Sequence, residues 1–306
     1  MGCSGTPPIS KYSLKHNIIH HTTDVSSIIE LPSGNILTAG AHGMLYIWNK
    51  SYTEIIETVR AHYKHIPDLL LYEPRLFISI SEECMIRIWK IGKKIKMCGE
   101  LELNYIPLII RKINNKCIST GSSLGIKLYS FKNNNNTYFM EEINFLPQNS
   151  PVIAINVIND GRIAINSLYQ VLLWDYIRFN KDEYEKSVTY LKAHRKSVSS
   201  LLVLNNGFLV SGGEDKKLII WNTKKKEIIK ELNEHKGPIL SLYQLKEGNL
   251  VSGDKYSLIY IWNLDFSGIY QTLIEDGAIF KFYQLKTFEL CSISSCSEIK
   301  IWGHDS

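Results

Sequence analysis

Residues 194–221, HRKSVSSLLVLNNGFLVSGGEDKKLIIW, contain three short segments of aliphatic and β-branched residues separated by polar turns. Apolar runs of four to eight residues, bounded by Gly, Asn and Asp, are typical of β-strands. We therefore predict strands over 197–204, 208–211 and 217–221, with the last of them ending in a tryptophan.

The last segment recurs along the whole chain, and each copy ends in Trp or, once, in Tyr. The seven end points are Trp48, Trp89, Tyr129, Trp174, Trp221, Trp262 and Trp302. Successive end points lie 41, 40, 45, 47, 41 and 40 residues apart, which is the length of one four-stranded propeller blade. The sequence ILSLYQLK at 239–246 is also echoed by IFKFYQLK at 279–286. The spacing predicts an all-β chain that forms one seven-bladed β-propeller.

These repeats resemble the WD40 family from about residue 12 to Trp302. A histidine stands 27 residues before the closing aromatic residue in four copies, at His21, His62, His194 and His235. The Trp-Asp pair that names the family occurs once, at Trp174-Asp175, and the turn aspartate six residues before Trp occurs once, at Asp215. The resemblance implies that His194, Ser211, Asp215 and Trp221 form a structural tetrad of hydrogen bonds within one blade.

The two ends of the chain predict how the ring closes. In the family arrangement, the outer strand of a blade follows the Trp of that blade, but here the chain stops four residues after Trp302. Residues 13–19 have the same offset from His21 as the outer strands 54–60 and 227–233 have from their own histidines. We predict that this N-terminal strand completes the last blade. Residues 12–306 would then be a single domain, preceded by a flexible arm over 1–11.

Composition narrows the class of protein. The 306 residues are 44% hydrophobic and 21% charged, which suits a globular protein with a large core. No apolar run approaches the roughly 18 residues of a membrane-spanning helix, and no secretory signal begins the chain. The six cysteines have no paired CxxC spacing, and the formal charge of +5 is mild for a nucleic-acid binder. We expect a cytoplasmic protein with reduced thiols and no specific nucleic-acid partner.

One set of residues has the composition of a nucleophilic triad, namely His194, Ser211 and Asp215. The structural reading is preferred, because a nucleophile also needs an exposed position and oxyanion donors. A group near the N-terminus has metal-ligand chemistry but no standard zinc spacing: His16, His20, His21 and Asp24. No Walker A or dinucleotide fingerprint occurs. We therefore predict no enzyme, no metal site and no cofactor.

The family arrangement assigns each loop to one of two faces. Loops before the first strand of a blade and between its second and third strands form the top face. Its partner-binding candidates are Tyr63, Lys64, Glu82, Glu83, Arg195, Lys196, Glu214, Lys236, Lys255 and Asp276. Their mixed charge suits a protein or peptide partner. Connectors after each closing aromatic residue form the bottom face and carry twelve basic against six acidic residues, a net charge of +6. The basic clusters there are Lys93, Lys94, Lys96, Lys224, Lys225 and Lys226.

The first residues match the M-G-x-x-x-[ST] template for N-myristoylation. Gly2 would be the acceptor, Cys3 is placed for palmitoylation, and Pro7 is unfavourable for the modification. A single myristoyl chain binds membranes only marginally, so a second chain or a basic surface would also be required.

The function predicted from these features is a non-catalytic scaffold or adaptor for protein–protein interactions, tethered to the cytosolic face of an anionic membrane if the N-terminus is acylated. The alternative is a soluble peptide reader or adaptor subunit of a ubiquitin-ligase or chromatin complex. A phosphoinositide-binding propeller is a minor alternative, because the paired arginines of such propellers are absent.

Overall fold

Short strands joined by tight turns build the whole described part of the chain. The computed structural model describes residues 11–18, 24–134, 137–178, 184–296 and 298–304. Within them lie 28 strands, arranged as seven four-stranded antiparallel sheets. The predicted all-β, seven-bladed propeller is therefore confirmed.

The chain begins with β1 (Tyr12–Ile18), and each later blade is numbered in chain order. Blade 1 contains β2 (Val25–Glu30), β3 (Ile36–Gly40), β4 (Met44–Trp48) and β5 (Ile55–Arg60). Blade 2 contains β6 (Asp68–Glu73), β7 (Leu76–Ser81), β8 (Met85–Ile91) and β9 (Ile95–Glu102). Blade 3 contains β10 (Pro107–Asn114), β11 (Cys117–Ser122), β12 (Gly125–Asn134) and β13 (Thr137–Pro147). Blade 4 contains β14 (Ile155–Val157), β15 (Ile163–Ser167), β16 (Gln170–Trp174) and β17 (Val188–Lys192).

Blade 5 contains β18 (Val198–Val203), β19 (Leu209–Gly213), β20 (Leu218–Asn222) and β21 (Glu227–Leu232). Blade 6 contains β22 (Ile239–Gln244), β23 (Leu250–Asp254), β24 (Leu258–Trp262) and β25 (Ile269–Ile274). Blade 7 contains β26 (Ile279–Gln284), β27 (Leu290–Ser294) and β28 (Ile299–His304), with β1 as its fourth strand. In every blade the first strand is the inner one and lines a central channel, and the last is the outer one.

The N-terminal strand closes the ring. Strand β1 pairs antiparallel with β28, with Tyr12 opposite His304 and Ile18 opposite Ile299. Tyr12 and Ile18 are each only 3% exposed, and the side chain of Gln271 accepts a hydrogen bond from the Tyr12 amide at 2.9 Å. The predicted closure is confirmed, with the strand one residue earlier than predicted. Closing the circle removes the exposed sheet edges that an open propeller would have.

The core lies between neighbouring blades. The second strand is buried at every residue in six of the seven blades, because it contacts the adjacent blades on both of its faces. Leu209 and Ile219 of blade 5, for example, pack with Leu173 of blade 4 in one cluster. Burying a large aliphatic side chain contributes about 1.5–3 kcal/mol, so the inter-blade layers hold the ring together.

Blade 3 differs from prediction at its outer edge. Residues 132–136 were predicted to be a bottom-face connector, but Lys132 belongs to β12 and pairs with Phe139 of β13. Phe131 extends this hairpin, because its ring lies 4.2 Å from that of Tyr72 and 5.6 Å from that of Tyr138. Residues 135–136 lie outside the described residues.

Helical structure is limited, in the described residues, to two short pieces: a 3-10 turn at Ala41–Gly43 and α1 (Tyr184–Ser187). Neither has the length and apolar composition needed to span a membrane.

Candidate interaction surface

The triad-like residues of blade 5 form a buried chain of hydrogen bonds. Trp221 Nε1 donates to Ser211 Oγ at 2.8 Å, and Ser211 Oγ lies 2.8 Å from His194 Nε2. On the other side of the imidazole ring, His194 Nδ1 lies 2.9 Å from Asp215 Oδ1. Ser211 is fully buried, so no substrate can approach its hydroxyl. The arrangement satisfies polar groups within the blade and is unsuited to nucleophilic attack.

Blade 2 contains a second chain of the same kind. His62 Nε2 lies 2.7 Å from Ser79 Oγ, which accepts from Trp89 Nε1 at 2.9 Å, and His62 Nδ1 lies 2.7 Å from Glu83 Oε1. Burial lowers the pKa of His62, which favours the neutral ring. Burial alone would raise the pKa of Glu83, but hydrogen bonds from the Tyr63 amide and His62 lower it overall. Sequence reasoning missed this tetrad, although Glu83 stands six residues before Trp89, as Asp215 does before Trp221.

Blade 6 contains a third tetrad. His235 Nε2 lies 2.6 Å from Ser252 Oγ, and Trp262 Nε1 donates to the same oxygen at 2.8 Å. The acid is Asp254, whose Oδ2 lies 3.0 Å from His235 Nδ1. It stands eight residues before Trp262, at the end of β23, so a search at the offset of six passes over it. We call blades 2, 5 and 6 the tetrad blades.

Blades 7 and 3 replace the histidine. In blade 7, Glu275 stands 27 residues before Trp302 and hydrogen-bonds to Ser292 Oγ. Burial raises the pKa of Glu275. In blade 3, the hydroxyl of Tyr105 bonds to Thr120 Oγ1 at 2.6 Å and to the hydroxyl of Tyr129.

The top face is held together by the backbone of its loops. In blades 2, 5 and 6, the amides of Glu82, Glu214 and Lys255 each donate to a carbonyl in the loop before the inner strand, at 2.8–3.0 Å. Two predicted candidates have partners within the protein: Glu83 in its tetrad, and Asp276 through an ion pair with Lys300 at 2.6 Å. The other predicted candidates are exposed: Tyr63, Lys64, Glu82, Arg195, Lys196, Glu214, Lys236 and Lys255.

Blades 3 and 4 present a different surface on the same face. Five large apolar side chains there are between 45% and 52% exposed, and we call them the apolar patch: Ile106, Leu124, Ile153, Leu168 and Tyr169. The top loops of these blades, 103–106, 123–124, 148–154 and 168–169, contain no charged residue.

Hydrogen bonds join these loops into one surface. The amide of Gln148 donates to the Leu124 carbonyl at 3.0 Å, and the amide of Leu168 donates to Ser150 Oγ at 3.2 Å. Sequence reasoning missed the patch because it considered mainly polar loop residues. The available signal was the presence of apolar residues, without any charge, at top-loop positions.

A central channel of about 870 Å³ runs past the inner strands of all seven blades. Its wall carries a cluster of charges around Asp68, the first residue of β6. Asp68 Oδ2 accepts from Arg111 Nη1 at 2.5 Å, and Asp68 Oδ1 accepts from Lys281 Nζ and from Ser27 Oγ. Burial alone would raise the pKa of Asp68, but Lys281 and Arg111 lower it to about 2. The cluster therefore keeps a permanent carboxylate and joins blades 1, 2, 3 and 7.

The predicted basic residues of the bottom face are all exposed but form two clusters. Lys93, Lys94 and Lys96 lie on blade 2, whereas 224–226 lie on blade 5, with blades 3 and 4 between them. Strand β1 starts opposite His304, at the bottom end of β28. The predicted acylation residues Gly2 and Cys3 lie outside the described residues.

Groups with metal-ligand chemistry are dispersed. Within the described ranges, no three or more His, Cys, Asp or Glu side chains are grouped as a metal site. Two members of the N-terminal group, His20 and His21, lie outside those ranges. Of the described cysteines, all of which are free, Cys291 is in β27 and Cys296 is exposed in the following turn.

Comparison with known proteins agrees with the geometry. A sequence profile described as "WD domain, G-beta repeat" matches residues 12–49 and 185–222. The first match runs from β1 through the first three strands of blade 1, so the sequence repeat is offset by one strand from the blade. The structure is similar to the crystal structure of the WD40 beta propeller domain of Doa1, with a TM-score of 0.79, 14% identity and coverage of 97% of this chain and 98% of that one.

Two fungal relatives are similar in sequence. Protein HIR1 of Gibberella zeae is 21% identical over 238 residues, and Protein hir-1 of Neurospora crassa is 20% identical over 236. Each alignment covers 72% of this chain and 21% of the relative. The matched part of this chain therefore spans about a fifth of the length of these relatives.

Proposed function

Because this chain is a seven-bladed WD40-repeat β-propeller, we propose that it acts as a non-catalytic platform that binds protein partners through the apolar patch on blades 3 and 4. WD40 propellers generally serve as scaffolds or adaptors for protein interactions. The proposal assigns that role to one part of one face.

The apolar patch is the observation that carries the proposal. Contiguous exposed apolar surface on a globular protein is typical of a binding site. Interface cores are depleted of charged residues and enriched in aromatic ones. The top loops of blades 3 and 4 lack charged residues and expose Tyr169, whereas the loops of blade 5 expose Arg195, Lys196 and Glu214.

The rest of the molecule supports a binding role. The hydroxyl that would be the nucleophile in blade 5 is buried against Trp221. The ring is closed by β1, so the platform is rigid. In the two fungal relatives, the aligned stretch is a small part of a much longer chain, which favours a module that recruits other parts of an assembly.

The test is quantitative affinity purification of three forms of the chain from the cells that express it. Ile153→Glu places a charge in the apolar patch, and Ile177→Glu is the matched control, because Ile177 is 76% exposed in the connector after β16. We expect Ile153→Glu to lose the proteins that wild type and Ile177→Glu both retain. The same proteins recovered with all three forms would refute the proposal, provided that circular dichroism shows each form to be folded.

Membrane tethering is a second proposal, supported by where the chain enters the fold. Strand β1 begins on the bottom face, which also carries the exposed lysines at 93–96 and 224–226. An acyl chain on Gly2 and these lysines would thus act on the same side. We expect Gly2→Ala to move the protein into the soluble fraction. An unchanged membrane fraction would remove this proposal and leave a soluble adaptor that uses the same apolar patch.

A further inference from the structure

The charge cluster in the channel wall has more positive than negative charge. Lys281 and Arg111 face a single buried carboxylate, Asp68. The other charged or titratable side chains that line the channel are Asp24 and His65. Both precede the first residue of an inner strand and so lie at its mouth, whereas Arg111 is the fifth residue of β10. Deeper in the channel, the excess charge is therefore positive.

Asp68 has no remaining capacity to accept hydrogen bonds. Its two oxygens accept from Lys281 Nζ, Ser27 Oγ, Arg111 Nη1 and the amides of Leu69 and Ile110. An ionised carboxylate offers about four lone-pair positions, so these five donors saturate it. Any further donor of the cluster is available to a ligand.

Arg111 retains such donors. Its Nη1 bonds to Asp68 and to the carbonyl of Ile110, while Nε and Nη2 bond to no partner among the described residues. The side chain is 36% exposed and lines the channel. A guanidinium group presents its donors as a planar fork that matches the two oxygens of a carboxylate.

The channel is also connected to the apolar patch. Ile106 immediately precedes β10, which carries Arg111, and Ile153 both belongs to the patch and lines the channel. Five residues of strand separate Ile106 from Arg111, about 17 Å at 3.3 Å per residue. A ligand that contacts both must therefore enter the channel as an extended segment.

Resting on the proposed function, we propose that the channel binds a carboxylate at the end of an extended, apolar partner segment, with Arg111 as its receptor. The carboxylate belongs either to the partner's C-terminus or to an acidic side chain at the tip of the segment. A monoanion matches the single excess positive charge. A phosphate dianion would leave an uncompensated negative charge among Leu108, Ile109 and Leu242 in the channel wall.

The experiment uses fluorescent seven-residue peptide mixtures, randomised among Leu, Ile, Phe and Tyr, in four arms. The last residue carries a free carboxylate, a C-terminal amide, an amidated Glu or an amidated Gln. We expect wild type to bind at least one carboxylate arm about tenfold more tightly than its amide or Gln counterpart, because hydrogen bonds to charged groups contribute roughly that factor. Comparing the free-acid and Glu arms identifies the source of the carboxylate. Equal binding of all arms, or no binding of either carboxylate arm, would overturn the inference.

Variants locate the receptor. Arg111→Gln should abolish the preference for carboxylate, and folding is checked by thermal melting, since Asp68 keeps Lys281 and Ser27. Arg111→Lys keeps a positive charge beside Asp68 but lacks the fork, and should reduce the preference severalfold. Arg178→Gln is the matched control, because the Arg178 side chain is 87% exposed on the bottom face. A preference that persists in both Arg111 variants would overturn the assignment.

The same assay separates this inference from the proposed function. If Ile153→Glu abolishes binding of every arm while the arms bind wild type equally, the apolar patch survives and the carboxylate inference fails. If the arms differ through Arg111 but Ile153→Glu has no effect, the channel inference stands and the patch is not the docking surface.

Discussion

Blade 5 and blade 4 are neighbours in the ring, yet their polar groups are organised differently. Blade 5 carries the full chain from Trp221 through Ser211 and His194 to Asp215, and its top loops are charged. Blade 4 has Pro147 where the histidine would stand, and its top loops expose Ile153 and Leu168. The regular blade satisfies its polar groups internally, whereas the irregular one presents apolar surface to solvent.

The same contrast holds between the tetrad blades and blades 3 and 4 as a whole. In blades 2, 5 and 6, the acid of each top loop is held by its histidine. In blades 3 and 4, an exposed apolar surface has no structural role in the fold. The comparison teaches that the regular repeats hold the ring, while departure from the repeat marks the surface available for binding. Five predictions test it, ordered by their expected effect on the free energy of unfolding.

The largest effect should follow deletion of residues 1–18. This removes β1, leaves β28 as an unpaired edge and exposes the core that Tyr12 and Ile18 cover. We expect loss of cooperative thermal unfolding, measured by circular dichroism. A truncated chain that melts like the full-length protein would show that the ring does not depend on this closure.

The next effect concerns Asp68, which joins a tetrad blade to blade 3. Asp68→Ala leaves Lys281 and Arg111 without their counter-ion, and breaking a buried pair in this way costs about 3–5 kcal/mol. Urea unfolding measures the loss. The control is Asp160→Ala, because Asp160 pairs with Arg162 near the surface and such pairs are worth about 0–1 kcal/mol. Equal losses in the two variants would contradict the role given to Asp68.

Acid should weaken the same junction. The pKa of Asp68 is lowered from 3.8 to about 2 in the folded protein, so the folded state favours the ionised form. This contribution is fully present above pH 4 and is lost as the pH falls from about 4 to 2. It should amount to about 2 kcal/mol. Urea midpoints measured across this range should fall more steeply for wild type than for Asp68→Asn, and parallel curves would contradict the prediction.

Breaking a tetrad should have a smaller effect on stability and none on binding. His194→Ala leaves Ser211 and Asp215 without their shared partner, and lost buried hydrogen bonds of this kind cost about 1–3 kcal/mol. Urea unfolding and affinity purification of the variant give the two quantities. If His194→Ala lost the wild-type partners while remaining folded, the tetrad blades would have to be part of the interaction surface.

The smallest effect on stability is expected in the apolar patch. Tyr169 is 52% exposed, so Tyr169→Ser should change the free energy of unfolding by no more than about 0.5 kcal/mol. The same substitution should weaken partner binding, measured by titration calorimetry with the partner recovered from cells. A destabilised variant with unchanged affinity would reverse the comparison.

The ring itself could be predicted from the sequence, because a closing aromatic residue recurs at nearly constant spacing and the missing outer strand left one solution for closure. The Glu83 and Asp254 tetrads were less accessible, because the acid varies in type and in offset. Glu275 and Tyr105 occupy the histidine's role with different side-chain chemistry, which only the packing of blades 7 and 3 reveals.

The apolar patch could not be predicted with the same reasoning. Ile106 and Ile153 read as ordinary strand residues, and their exposure depends on where the inner strand begins. Strand β10 starts one residue after Ile106 and β14 starts two residues after Ile153, so both side chains remain in loops. The charge cluster of the channel likewise joins Asp68, Arg111 and Lys281 from blades 2, 3 and 7, a contact that exists only once the ring is closed.

Hydrogen exchange of the chain, measured with and without its bound partner, tests most directly whether the irregular blades bind while the regular blades hold the ring. The account predicts that binding slows exchange in residues 148–154 and 168–169 of blade 4 and leaves 193–197 and 214–217 of blade 5 unchanged. Protection of the blade 5 loops, with blade 4 unaffected, would contradict it.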